Sequence, residues 1–275
     1  MNARSGPRSR PARTGLPGRL RSAMGTMPPR AAFGQLLRNE ARLARRPPIA
    51  VLAGLGVPIL LLVVYGKVQA FHVPLPDAGG LTLFDSYEPV LVVFGLAMLT
   101  MWGIPGPLVT YRELGILRRL STTPVPASWL LAAQAIVQLS VAVTGMAIVL
   151  IASVAAFGAP APRSVPGVVV SCLLSIAGLF PLGLLIAALA RTSGGASVIG
   201  RLLFVPLMFL AGLWLPRALM PQVLADISSY SPLGAATAAV QDALQTGFPP
   251  AAPLLVLAGY AVLLSLLARR LFRWE

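Results

Sequence analysis

Acidic side chains are scarce in this chain: eight Asp and Glu stand among 275 residues, with one cysteine and one histidine. Each scarcity removes a class of function. A lone Cys172 excludes an internal disulfide framework and a paired-cysteine metal site. His72 lies between apolar runs with no ligand partner nearby, so it reads as a solvated loop residue. No GxxxxGK[ST] stretch occurs, so the chain carries no Walker phosphate loop of its own. The apolar runs hold no HExxH and no paired carboxylates, which argues against an integral membrane enzyme. That bareness also argues against an ion channel or secondary transporter, since ion-coupled carriers place carboxylates near the bilayer midplane.

What the chain has in abundance is apolar surface. Its mean hydropathy is +0.80, and 11% of its residues are charged. That composition describes an integral membrane protein. The net charge of +14 invites a nucleic-acid partner, but its distribution excludes one. Eleven of the 22 Lys and Arg precede Pro48, and most of the rest flank apolar runs. No basic patch is interleaved with aromatic residues for base stacking.

Residues 1–29 are rich in Arg, Pro, Gly and Ser without apolar periodicity, and read as a disordered basic tail. Met24 and Met27 are alternative starts, and no signal peptide is expected. Residues 30–47 form an amphipathic pattern, with Phe33, Leu36, Leu37, Leu43 and Ala44 on one broad face and arginines on the other. Such a helix suits the headgroup plane of a membrane. Pro47 and Pro48 end it. Within residues 48–271 lie six apolar runs: 49–65, 89–110, 127–157, 165–190, 196–215 and 251–271. Each approaches the ~20 residues a helix needs to cross the hydrocarbon. The fold expected is therefore all-α and integral to the membrane, with six transmembrane helices. A break is expected near Gly103, Pro105 and Pro107. Arg201, just inside the fifth run, reads as a side chain snorkelling to the surface.

Loop charges set the orientation. Placing the N-terminus, residues 111–126, the turn near Arg191 and the C-terminus in the cytosol collects 19 basic and three acidic residues there. The other side holds Lys67, Arg163 and Arg217 against Asp77, Asp85, Glu88, Asp226 and Asp242. The positive-inside rule favours this arrangement, with both termini cytoplasmic.

Two polar stretches break the apolar pattern. Residues 111–126, YRELGILRRLSTTPVP, read as a short helix from Arg112 to about Ser121 with Leu114 and Leu117 on one stripe. Glu113 sits in its first turn, and Arg118 and Arg119 in its last, beside Leu120. Thr123 before Pro124 stops it. Gly115, read as mid-helix, suggests that something packs closely over it. Residues 216–247 are too apolar for a free loop and too rich in proline for a span. Two short helices dipping into the outer leaflet are expected there.

The first stretch resembles the coupling loop of the ABC-2 family of ATP-binding-cassette transporter permeases, through Glu113, Gly115, Arg118, Arg119, Leu120, Thr123 and Pro124. The second is similar to that family's pattern after the fifth span, through Gly212, Pro216, Pro221, Ser231 and Pro232. With the elbow helix and six runs in order, the chain looks most like the daunorubicin-resistance-type permeases. The resemblance implies a non-catalytic membrane subunit of an ATP-driven exporter of amphiphilic drugs or lipids, in a bacterial cell membrane. It implies no cofactor on this chain, ATP and magnesium being held by a separate ATPase subunit. That subunit would be gripped through Arg112, Glu113, Gly115, Leu117, Arg118, Arg119, Leu120, Thr123 and Pro124. Further implied partners are membrane lipid and a second copy or a sister permease. Gly212, Pro216, Pro221, Leu224, Ile227 and Pro232 are the candidate outer gate.

Overall fold

A computed structural model describes residues 33–35, 37–38, 41–42, 49–74, 81–115 and 127–271. Among these the chain is helical and has no strand. Its elements in order are α1 (Ile49–Lys67), a 3₁₀ turn (Gln69–His72), α2 (Leu83–Met98), a π-turn (Leu99–Gly103) and α3 (Pro105–Glu113). There follow α4 (Ala127–Phe157), α5 (Val165–Leu189), α6 (Ser193–Ala211), a 3₁₀ turn (Arg217–Leu219), α7 (Gln222–Tyr230), α8 (Pro232–Gln245) and α9 (Ala251–Leu271). Five helices among the described residues are long and apolar enough to cross a membrane. They are α4, α5, α6, α9 and the joined unit Leu83–Glu113. The first expected span is also a helix, Ile49–Lys67, and its stretch Gly54–Lys67 is apolar. In the expected elbow, residues 33–35, 37–38 and 41–42 are helical, while Leu36, Leu43 and Ala44 lie outside the described residues. Phe33 sets its ring edge-on to Trp129 at 5.8 Å, near the start of α4.

The Leu83–Glu113 unit is the hub of the bundle: Val90, Leu91, Val92 and Val93 are at most 2% exposed. Its start differs from the expected Pro89. Thr82 and Asp85 form a capping box, with the Asp85 N–H donating to Thr82 Oγ1 at 3.1 Å and the Thr82 N–H to Asp85 Oδ2 at 3.0 Å. The helix therefore begins at Leu83 and carries Pro89 inside it. A proline cannot donate to the carbonyl four residues back, here that of Asp85. The Gln245 side chain at the end of α8 donates to that carbonyl instead, at 3.0 Å.

The same device recurs at the other end of the hub. Leu99–Gly103 adopt the wide π spacing, with the Ile104 N–H reaching back to Leu99 O at 2.9 Å. Pro105 then opens α3, where its missing N–H is no loss. Pro107 frees the Gly103 carbonyl, and Gln138 of α4 donates to it at 2.7 Å. The expected break is thus a π-turn through which the helix continues. Gly183 of α5 and Gly200 of α6 sit directly over it. A Cβ on either would lie 2.6 Å from Thr100 O or 2.7 Å from Met101 O, so only glycine lets these helices approach so near.

α8 is the other buried element. Leu233, Ala235, Ala236, Ala239, Val240 and Ala243 have no exposed surface. It packs against α2, α5, α6 and α9, so half of the expected outer segment lies inside the bundle. Ser171 and Ser175 of α5 are also fully buried, and the Ser171 hydroxyl donates to Ala239 O at 2.9 Å. The small-residue stripe on α5 is therefore spent within this chain.

Candidate functional site

The last turn of α3 leads into the expected coupling loop, and its geometry corrects one expectation. The Leu114 N–H bonds Thr110 O and the Gly115 N–H bonds Arg112 O, each at 3.0 Å, and Gly115 has φ +64°. This is a left-handed helix stop, so no helix runs on from Arg112 through Gly115. A Cβ there would meet no atom of the described residues within 4 Å. Gly115 is needed for its backbone angle. Leu117, Arg118, Arg119, Leu120, Thr123 and Pro124 lie outside the described residues.

Arg112 and Glu113 are both engaged with the turn between α5 and α6. The Arg112 guanidinium donates from Nη2 to the carbonyl of Ala190, the residue that ends α5. One of the orphan carbonyls of that helix end is thereby satisfied. Glu113 Oε1 accepts the Ser193 N–H at 3.1 Å, in the first turn of α6. A carboxylate there complements the positive end of the helix dipole. Thr192 completes the cap by accepting the Gly195 N–H at 3.0 Å. Neighbouring side chains of opposite charge thus clamp one helix end and the next helix start. Together they form a strut from the hub to the 190–193 turn.

At the opposite end of the hub stands a residue the sequence reading placed in a loop. Glu88 is 5% exposed, inside α2, and accepts a hydrogen bond from the Ser153 hydroxyl of α4. Its burial removes it from the tally of loop charges and puts a carboxyl group inside the hub helix. The signal was present in the T-x-x-D capping box of Thr82 and Asp85, one turn ahead of it. Gln134 and Gln138 of α4 were likewise missed. Both are buried, and the Oε1 of each lacks a hydrogen-bond partner among the described residues.

The expected outer-gate residues fall into two groups. Gly212, Pro216, Pro221 and Pro232 are punctuation. Gly212 ends α6 at φ 99°, Pro216 precedes the 3₁₀ turn, Pro221 precedes α7, and Pro232 opens α8. Ser231 caps α8 by accepting the Gly234 N–H at 3.0 Å. Leu224 and Ile227 belong to α7. Leu224 is half-buried, but Ile227 is 53% exposed, as are Val223 and Tyr230 more strongly. Within a single chain Ile227 therefore makes no buried contact. Nine residues give α7 a single inward stripe, and Ser228 occupies it, donating to Leu210 O at 2.6 Å. Val223, Ile227 and Tyr230 face away from the bundle.

Among the described residues no group of three His, Cys, Asp or Glu could hold a metal ion. A search of curated proteins finds no significant match. A family model described as ABC-2 type transporter matches residues 31–245, which include the hub, the strut and the outer helices. The chain belongs to the ABC-2 type transporter family and is a multi-pass membrane permease component of an ABC transporter.

Proposed function

We propose that this permease is the membrane half of an ATP-driven exporter carrying an amphiphilic drug or lipid-like substrate out of a bacterial cell. ATP and magnesium are bound and spent on a separate ATPase subunit, of the kind such permeases generally require. On this reading α1 completes a set of six spans, both termini are cytoplasmic, and residues 30–47 lie in the inner headgroup plane. Two permeases, identical or sister chains of the daunorubicin-resistance type, enclose the path. Residues 116–126 dock on the ATPase. The α7–α8 segment closes the outer end, with Leu224 and Ser228 as its inward contacts.

The observation that carries the reading is the strut. Arg112 and Glu113 tie the root of the docking loop to the 190–193 turn, so a pull on that loop moves α3, α5 and α6 together. Neutral bundle packing would not place two opposite charges on two successive helix ends beside the polar loop. The spans offer few polar groups, which suits an amphiphile better than a sugar chain.

The topology is tested by single cysteines at Asp77 and Ser121 probed with an impermeant thiol reagent on whole cells. Asp77→Cys should react from outside and Ser121→Cys should not, with the half-buried Cys172 as internal control. The reverse pattern overturns the orientation, and with it the cytosolic docking loop.

A further inference from the structure

Between α7, α8 and the start of α9 lies a cavity of about 530 Å³ whose walls are mostly apolar. That volume falls in the roughly 300–1,000 Å³ range of small-ligand clefts. Two opposite charges face into it, Arg217 and Asp242, together with Ser229, Tyr230 and Gln241. The guanidinium of Arg217 donates from Nη2 to Ser229 Oγ, while its Nη1, shielded from solvent, has no hydrogen-bond partner among the described residues. Burial pushes the Asp242 carboxyl above its ordinary range, and Arg217 opposes the shift. The two groups therefore sense each other without joining in a salt bridge among the described residues. Leaving a shielded guanidinium donor short of a partner is costly unless something else answers it.

The remaining wall supports a specific kind of answer. The Tyr260 hydroxyl donates to Tyr230 O at 3.0 Å, holding the backbone at the end of α7 while the Tyr230 ring stays 72% exposed. An exposed ring beside a carboxylate suits an ammonium group, through cation–π attraction as well as charge. Pro250, Ala252 and Val256 at the first turns of α9 supply an apolar rim. On the proposed topology that rim lies at the outer surface of the membrane. Headgroups meet acyl chains at this depth.

We infer that this cavity holds the headgroup of a zwitterionic phospholipid, its phosphate toward Arg217 and its ammonium toward Asp242 and Tyr230. The acyl chains leave over the rim of α9. The site lies on the far side of the bundle from the strut and involves none of the strut's residues. It rests on the proposed topology only for which leaflet supplies the lipid.

The test uses the full chain in nanodiscs of equal phosphatidylethanolamine and phosphatidylglycerol with matched acyl chains. Lipid retained after mild detergent extraction is counted by native mass spectrometry. Wild type should retain the ethanolamine lipid about tenfold over the glycerol lipid. Arg217→Gln and Asp242→Asn should each abolish that preference. Ala238→Phe, which narrows the cavity and leaves both charges in place, should lower retention of both lipids. Excess O-phosphoethanolamine should displace nothing, because it lacks the chains; displacement by it would assign the site to a soluble zwitterion and overturn the lipid. Equal retention of the two lipids by wild type, or loss in Arg217→Gln alone, overturns the zwitterion. Undiminished retention in Ala238→Phe overturns the cavity. No ATPase is present in the assay, so a chain that fails to export still gives its lipid result, and reversed cysteine labelling changes only the leaflet.

Discussion

The two ends of the hub helix solve the same problem and then part ways. At each end a proline frees a carbonyl, and a glutamine from a distant helix takes it: Gln245 for Asp85, and Gln138 for Gly103. Beyond that the ends differ. The Leu83 end is locked into the core through α8 and through the buried Glu88–Ser153 contact. The Glu113 end holds a two-residue turn by a pair of charges and then opens at Gly115 into a polar loop. One end is an anchor and, on the proposed coupling, the other is a lever. A helix that must carry a displacement needs that asymmetry, because a rod fixed at neither end conveys nothing.

The contrast can be broken most severely at the anchor. Ser153→Ala leaves the Glu88 carboxyl group buried without its donor, at the upper end of the about 1–3 kcal/mol that an unsatisfied buried polar group costs. Thermal unfolding in detergent should show the largest fall in Tm for this variant. Gln245→Leu comes next, stranding the Asp85 carbonyl at about 1–3 kcal/mol. Gln138→Leu should cost a similar amount, but from the lever end, so it should also reduce export per folded molecule where Gln245→Leu does not. Equal export in these two variants would erase the distinction between the ends.

Smaller effects sharpen the picture. Gly115→Ala forces a side chain into a left-handed backbone at about 1–2 kcal/mol. Since no described residue crowds the site, that cost should appear as a frayed end of α3 in hydrogen exchange, with the bundle otherwise intact. Smallest of all, Leu224→Asp should disturb the outer segment more than Ile227→Asp, because Leu224 is half-buried and Ile227 exposed. Export leakage measured in vesicles should follow that order. The opposite order would mean that the outward face of α7 carries the contact.

How much of this the sequence disclosed depends on the kind of signal. α4 and α9 have the bounds that apolar runs predict, because nothing inside those runs competes with helix formation. The α7–α8 pair was legible as two short helices from its prolines, but the burial of α8 was not. Its alanines carry no strong apolar signal, and only the surrounding helices reveal that Ala235, Ala236 and Ala239 are fully enclosed. Pro89 misled in the other direction. It looked like a helix start, whereas the Thr82–Asp85 capping box sets the start nearly two turns earlier and a remote glutamine repairs the interior. Gly115 was singled out as unusual in the loop, but spacing alone could not show the positive φ that requires it. Arg112 and Glu113 were selected for a partner protein, and their on-chain targets, two backbone groups at 190 and 193, leave no trace in side-chain pattern.

The lever is tested most directly by Glu113→Lys, reconstituted in vesicles with its ATPase, with export and ATP hydrolysis measured on the same preparation. The substitution puts a cation at the start of α6, where the dipole opposes it, and removes the bond to Ser193 without touching residues 116–126. A coupling strut requires that the ATPase still co-purify and still hydrolyse ATP, while substrate exported per ATP falls about tenfold or more. Wild-type export per ATP in this variant would contradict the strut and reduce Arg112 and Glu113 to ordinary helix caps.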